Sequence, residues 1–320
     1  MICDIHVHLV AGADAHPGNY ISPRLARSWG GRILARQFRG GDRVRKTLAW
    51  LDASPVDRAV LLALDGAYRD DGTPDPANTL LVSDNDFVAG IAGSNRKVLF
   101  GASVHPYRRD ALSVLEKLIH RGACLVKWLP AAQNIAPDDP GCRPFYEILA
   151  HYRVPLLCHT GTEHTLRRFS NALNDPRRLV PALQQGVTVI AAHCGTRLML
   201  HERNYLPTWR RMALEYERFF GDISAFGVIT RVWPLQTLLK EPALTAKLVF
   251  GSDFPAWTLP LCFGGQVGWR VALRLRRIEN PFTQAVETMR AAGVPAAVFA
   301  RGESLLRVPA NKVESEVLVA

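Results

Sequence analysis

The chain has 320 residues, 48% of them apolar, with 39 Lys and Arg against 29 Asp and Glu, a formal charge of +10. Its near-zero mean hydropathy fits a soluble globular protein with a sizeable core, and the lack of any apolar run of about 18 residues argues against a membrane span. The charge is dispersed in pairs such as Arg108-Arg109, Arg167-Arg168, Arg177-Arg178 and Arg210-Arg211, with no zinc-finger, RNP or basic-region pattern, so it is read as solvated helix faces and ion-pair partners, with no specific nucleic-acid role.

The chain opens MICDIHVHLV. In Cys3–Leu9, Asp4, His6 and His8 fall on one side of an extended chain and Ile5, Val7 and Leu9 on the other, because residues i and i+2 of a strand point the same way. An H-x-H on a strand aims two imidazoles at one point, which suits a metal ion. Taken alone, a half-buried strand with one polar side is the more ordinary explanation. The start shows no basic n-region followed by an apolar h-region, so no signal peptide is expected, and cleavage there would remove His6 and His8. A Gly- and Arg-rich excursion follows over about residues 12–45; its part from Ile21 to Arg45 suits a lid or, equally, a dimer contact.

Further along, the pattern predicts helix at Arg45–Asp52, strand at Arg58–Leu64, loop plus helix at Pro74–Asn95, strand at Val98–Val104 and an amphipathic helix at Asp110–Arg121. Strand follows at Cys124–Leu129, helix at Pro144–Tyr152, strand at Val154–His159 and helix at Arg177–Gln185. Next come a strand at Val187–His193, an Arg- and aromatic-rich helical region to Phe220, and a weak strand at Asp222–Phe226. A helix at Leu235–Lys240 precedes the last strand, Lys247–Ser252. Helices at Pro281–Ala292, Pro295–Phe299 and Gly302–Leu306 close the pattern, and the tail from about Pro309 suits a mobile end. Strands alternating with helices imply a parallel sheet, and eight such units point to a closed (β/α)8 TIM barrel forming one domain over residues 1–320. No G-x-G-x-x-G follows a strand, which disfavours a dinucleotide fold. The six cysteines are scattered with no C-x-x-C pair, so neither a zinc ribbon nor a disulfide framework is indicated, and the cytoplasm is the default compartment.

In such a barrel chemistry gathers at the C-terminal ends of the strands. His6 and His8 end the first, His105 follows the third, Lys127 lies on the fourth, and His159, His193 and Asp253 end the fifth, sixth and eighth. Singly, a strand-end histidine is commonly just hydrogen-bonded, Asp253 could cap its turn, and Lys127 could extend its head to water. Together, four imidazoles and a carboxylate on one rim form a metal-ligand set. On the substrate side, loops after the strands supply His105, Trp128, Gln133, Glu163, His164, Arg197, Arg231 and Trp257. Of these, His105, Trp128, Arg197 and Trp257 are the substrate-binding candidates, since aromatic walls with an arginine suit a planar or carboxylated molecule. For each residue alone, loop packing explains its presence as well.

The H-x-H pair, Lys127, His159, His193 and Asp253 resemble the ligand pattern of the amidohydrolase superfamily. The phrases AHCG and GSDFP resemble its amidohydrolase-related group, which includes lactonases and aromatic-acid decarboxylases. The likeness runs from Asp4 to about Pro255. It implies a (β/α)8 barrel with zinc, or sometimes manganese. One metal would be held by His6, His8, His159 and Asp253, with His193 beside it as an acid/base or electrostatic group. The alternative has two: His6, His8 and Asp253 on one, His159 and His193 on the other, and a carbamylated Lys127 between them. Trp128 beside Lys127, and the common single-metal members of the group, favour one. The implied reaction activates a zinc-bound water, whose pKa falls to about 7, to cleave an ester, lactone or amide of a small, carboxylated or aromatic substrate. Asp253 would move the water's proton, and the metal or His193 would polarise the carbonyl. The rival reaction is non-oxidative decarboxylation of an aromatic or unsaturated acid. A metal-binding protein without catalysis is set aside because every ligand type is present. The expected partner is a small-molecule substrate, with no membrane and no specific nucleic acid; a homo-oligomer is compatible with the sequence.

Overall fold

The computed structural model describes residues 1–28, 31–32, 42–256 and 258–307. Eight parallel strands pair in chain order: β1 (Cys3–His8), β2 (Arg58–Leu62), β3 (Val98–Ala102), β4 (Ala123–Trp128), β5 (Leu156–His159), β6 (Val189–Ala192), β7 (Phe219–Asp222) and β8 (Leu248–Val249). The ring closes where β1 meets the chain after β8. There the Ile5 N–H donates to the Phe250 carbonyl (3.2 Å), Asp253 N–H to His6 (2.9 Å) and His8 N–H to Phe254 (2.7 Å). With helices between most strands, this is the expected (β/α)8 barrel.

Alternation along each strand divides the apolar residues into two layers. Ile5, Val60, Leu62, Leu99, Leu125, Leu157, Ile190 and Val249 fill the barrel, while Val7, Leu61, Phe100, Val126 and Leu156 pack outward against the helices. The strict alternation expected for β1 does not hold. Asp4 pairs with Ala59 and Val7 with Leu61, so Ile5 and His6 together oppose Val60. This two-against-one bulge puts Ile5 in the inner cluster and Val7 in the outer one. Bulges re-aim side chains in this way, often beside functional sites.

The strand expected at Asp222–Phe226 lies earlier, at Phe219–Asp222. Its signal was weakened by Gly221, where a Cβ would come within 2.6 Å of Cys194 Sγ and of the Trp209 ring. The two short helices expected at Pro295–Phe299 and Gly302–Leu306 are one, Ala296–Leu305. It crosses β1 at Gly302, where a Cβ would lie 2.6 Å from Ile5 Cγ2. Beyond it Leu306 joins the inner cluster and the Arg307 N–H bonds the Cys124 carbonyl, covering the N-terminal mouth. In the excursion, Tyr20–Ile21 pairs antiparallel with Leu81–Val82; residues 29–30 and 33–41, and the tail expected from 309, lie outside the described residues. All six cysteines are free. Among the described residues no helix is long and apolar enough to cross a membrane.

Candidate metal centre

Each end of β1, β4, β5, β6 and β7, with the turn after β8, brings a polar side chain to the C-terminal mouth. His6 Nε2 lies 3.1 Å from His8 Nε2 and 3.4 Å from Asp253 Oδ1, and His8 Nε2 is 3.7 Å from the same oxygen. One ligand atom from each of the three falls within 4.8 Å of the others. The His193 ring stacks on His6 with centroids 5.6 Å apart, and His159 meets His193 edge-on at 4.8 Å. Lys127 Nζ donates to His6 Nε2 at 3.0 Å. The turns carrying His193 and Asp253 have left-handed backbones, with φ of 60° and 59°. Such geometry in non-glycine residues costs free energy and recurs at functional sites.

The residue that sequence reasoning missed is Asp222. Wholly buried, it accepts the His6 Nδ1–H at 2.7 Å and the His193 backbone N–H at 2.8 Å. A carboxylate accepts, so Nδ1 of His6 carries the proton and Nε2 presents a lone pair to the site. The Ser224 carbonyl, 3.0 Å from His193 Nδ1, fixes His193 the same way. Asp222 ends a short apolar run, FFGD, just as His159 and His193 end theirs; that signal was present, but the misplaced strand hid it.

Burial dominates the electrostatics. It holds His6 and His8 well below the usual imidazole range, with Lys127 adding for His6 and His6 for His8. It lowers His193 likewise, helped by Arg231, and takes His159 down to about 4 against the opposing Glu163. All four are therefore neutral near pH 7, the state in which an imidazole binds a cation. Burial also lowers Lys127 and raises Asp253.

The donors fit a divalent metal. The buried His159 Nε2 has no hydrogen-bond partner, although Glu163 Oε2 stands 3.6 Å away, and an enclosed nitrogen left unpaired calls for an occupant. Lys127 Nζ stands 3.0 Å from His6 Nε2, on the lone pair that Asp222 leaves facing the site. His159 stands apart from the tight group of His6, His8 and Asp253.

The substrate-side candidates divide differently. Trp128 was expected to face substrate, but it follows Lys127 on β4 and so points the other way. It is fully buried against Phe145 and Tyr146, with its indole N–H on the Val104 carbonyl. His105 is also fully buried, its Nε2 2.7 Å from the Gln133 carbonyl and its Nδ1 accepting from Tyr107 N–H. Both of its ring nitrogens are thus engaged by the backbone, leaving none for a ligand. Arg197 turns back on its own loop, donating to the Leu200 and Glu202 carbonyls. Trp257 lies outside the described residues. Glu163, named with the loops, does stand beside an imidazole, its Oε2 3.6 Å from His159 Nε2, and the charge of Arg231, named with it, also acts on His159.

A family model described as Amidohydrolase matches residues 3–286. Among solved structures, an uncharacterized TIM-barrel protein from Bordetella bronchiseptica superimposes with a TM-score of 0.59 at 13% identity, over 91% of this chain and 99% of that one. A putative 2-pyrone-4,6-dicarboxylic acid hydrolase from Pseudomonas putida gives 0.57 at 15% identity, over 95% and 96%. A 5-carboxyvanillate decarboxylase from Novosphingobium aromaticivorans, complexed with manganese and 4-hydroxy-3-methoxy-5-nitrobenzoic acid, gives 0.52 at 14% identity, over 93% and 92%. A search of curated proteins finds no match.

Proposed function

We propose, on the premise that this chain belongs to the amidohydrolase family, that it is a metal-dependent hydrolase cleaving an ester, lactone or amide bond of a small substrate. The observation that carries this reading is the meeting of His6, His8 and Asp253 ligand atoms within 4.8 Å of one another at the mouth of the barrel. His6, His8, Asp253 and, closing in from β5, His159 would hold the metal. Zinc suits this nitrogen-rich set, and manganese is the alternative. When bound, such a cation supplies Lewis acidity, which polarises a carbonyl and makes water a nucleophile near neutrality.

The chain's own groups do the rest. Asp222 and the Ser224 carbonyl keep the Nε2 atoms of His6 and His193 unprotonated and facing inward. Asp253 takes the proton of the attacking water and returns it to the leaving group. His193 Nε2, unprotonated beside His6, accepts a hydrogen bond from the attacking water and orients it. The burial of His6, Lys127 and Asp222 keeps bulk water away and strengthens each of these interactions.

The test is turnover of a panel of carboxylated lactones and esters by protein stripped with chelator and reloaded with zinc or manganese. Asp253→Asn should abolish turnover and leave the melting profile of the metal-free protein close to wild type. Full activity in that variant would remove Asp253 from the reaction. The second reading, non-oxidative decarboxylation, uses the same cluster, with an acid protonating carbon in place of water attacking a carbonyl. Release of carbon dioxide without consumption of water would establish it instead.

A further inference from the structure

The helix Trp269–Arg276, in the segment after β8, has two apolar faces. Ala272 and Leu275 point into the protein and are buried. Trp269 and Leu273, one turn apart, point outward and are 63% and 49% exposed. At about 100° per residue the outward pair spans about 40°, with Arg276 about 20° to one side and Arg277 and Arg270 about 40–60° to the other. Arg270, Arg274, Arg276 and Arg277 are all exposed, and among the described residues none of them forms an ion pair. Residues 269–280 hold a single acid, Glu279.

The helix Ile229–Leu239, after β7, repeats the outward pair. It buries Val232, Leu235 and Leu238, and turns Ile229 and Trp233, again four residues apart, outward at 70% and 77% exposure. The turn Pro260–Phe263 packs against both helices. Just before it, the exposed Leu259 donates its N–H to the Gly227 carbonyl at 3.0 Å, two residues from Ile229. Just after it, Gly264 leaves the room that the Trp269 ring takes. The two outward pairs and Leu259 thus share one side of the molecule. Arg231, two residues past Ile229, is buried and its charge acts on His193, so this side borders the C-terminal mouth. The fold uses only the inward faces, and an apolar face of this extent left in water marks a place of attachment.

We propose that Ile229, Trp233, Leu259, Trp269 and Leu273, with the arginines around them, seat the protein on an anionic lipid surface. No helix among the described residues is long and apolar enough to cross a membrane, so the attachment is peripheral. Indole rings lodge at the headgroup level, and a basic helix carrying Trp and Leu between its cations matches anionic headgroups. A second copy is a poorer match: a two-fold interface sets a patch against itself, so the unpaired arginines of one copy would meet those of the other. Single-stranded nucleic acid would use the indoles and arginines but leave Ile229, Leu259 and Leu273 without a role. The proposal holds whichever reaction the metal centre performs.

The full chain is sedimented with vesicles of phosphatidylcholine alone, and with vesicles containing about one-third phosphatidylglycerol. Wild type should partition to the mixed vesicles and not to the neutral ones, and added salt should weaken it. Trp233→Ser and Trp269→Ser should each weaken partitioning about tenfold, and Arg270→Gln and Arg274→Gln about fivefold each. Leu273→Glu, which keeps both indoles, should weaken it as well. Leu214→Ser, at an exposed apolar residue of another helix, should change nothing. The substituted side chains are exposed, so the variants should melt with the wild type. Failure of the wild type to bind mixed vesicles overturns the proposal. So does binding that the arginine changes weaken and the tryptophan changes do not, because that is charge alone. In protein that ignores vesicles, a dimer split by Trp233→Ser gives the face to a second copy. A single-stranded oligonucleotide bound there through the same residues gives it to nucleic acid. Either result overturns the lipid assignment.

Discussion

At His6 the position of one proton decides what the residue can do. Its Nδ1 faces Asp222 Oδ2 at 2.7 Å, and its Nε2 faces His8 and Lys127. Were Nδ1 unprotonated, it would set a lone pair against a carboxylate, and Nε2 would carry a hydrogen where a ligand atom is needed. Asp222 prevents this, and the same carboxylate fixes the His193 backbone through its other oxygen. Asp222→Asn keeps the shape but offers one acceptor instead of two and admits the wrong tautomer. Loss of such supporting partners commonly costs about 10–100-fold in metal affinity. Competition against a chromogenic chelator should show a drop of that size while the metal-free protein keeps the wild-type melting profile. Unchanged affinity would mean that Asp222 serves the fold alone. At this scale the sequence was most legible where a polar residue ended an apolar run: His6, His8, His159, His193 and Asp253 do come together at one mouth of the barrel. It misled at Trp128: the alternation that turns Lys127 inward turns its neighbour outward, and that rule was there to apply.

Elements were legible in kind but not always in extent, and glycine explains the misplaced ones. Gly221 weakened β7 because the close approach of Cys194 and Trp209 leaves no room for a side chain. Gly302 split one helix into two in the sequence pattern because glycine is a poor helix former; the fold keeps it there for the contact with Ile5. The β1 bulge is illegible for a different reason: an extra residue in one strand shows only against its partner, β2. Two substitutions separate propensity from packing. Gly90 lies mid-helix in Asn85–Ser94, exposed, with nothing within 4 Å of a built Cβ. Gly90→Ala should stabilise the protein by about 0.5–1 kcal/mol. Gly302→Ala gains the same propensity, but its methyl would press on Ile5 Cγ2 at 2.6 Å, and overpacking of this kind costs about 1–3 kcal/mol. Its net effect should be destabilising. Thermal melts of the two variants should move in opposite directions; a shared rise would show that the final helix can slide off β1 without cost.

For the molecule as a whole, the question is how a cation couples to the barrel. His6 and His8 sit on the first strand and Asp253 just past the last, so a metal held by all three crosses the seam where the ring closes. That seam is also held by the backbone bonds of Ile5, His8 and Asp253 and by the Ser252 N–H donating to Asp4 Oδ1. A ligand that binds only the folded chain stabilises it by about 2.7 kcal/mol when present at 100 times its dissociation constant. Chelator treatment should therefore lower the melting temperature by several degrees, and zinc should restore it. The number of ions follows from the same geometry. A second ion would need His159 and His193 together with a carbamate on Lys127. Burial does favour the neutral amine that carbamylation requires. Yet His159 leans toward Glu163, and only His6, His8 and Asp253 form a tight group among the described residues. Purified protein should contain close to one zinc per chain, and Lys127→Met should leave that content unchanged. A reproducible value near two that falls to one in Lys127→Met would show instead that the lysine bridges a pair of ions, and the proton path assigned to Asp253 would then have to be redrawn around both.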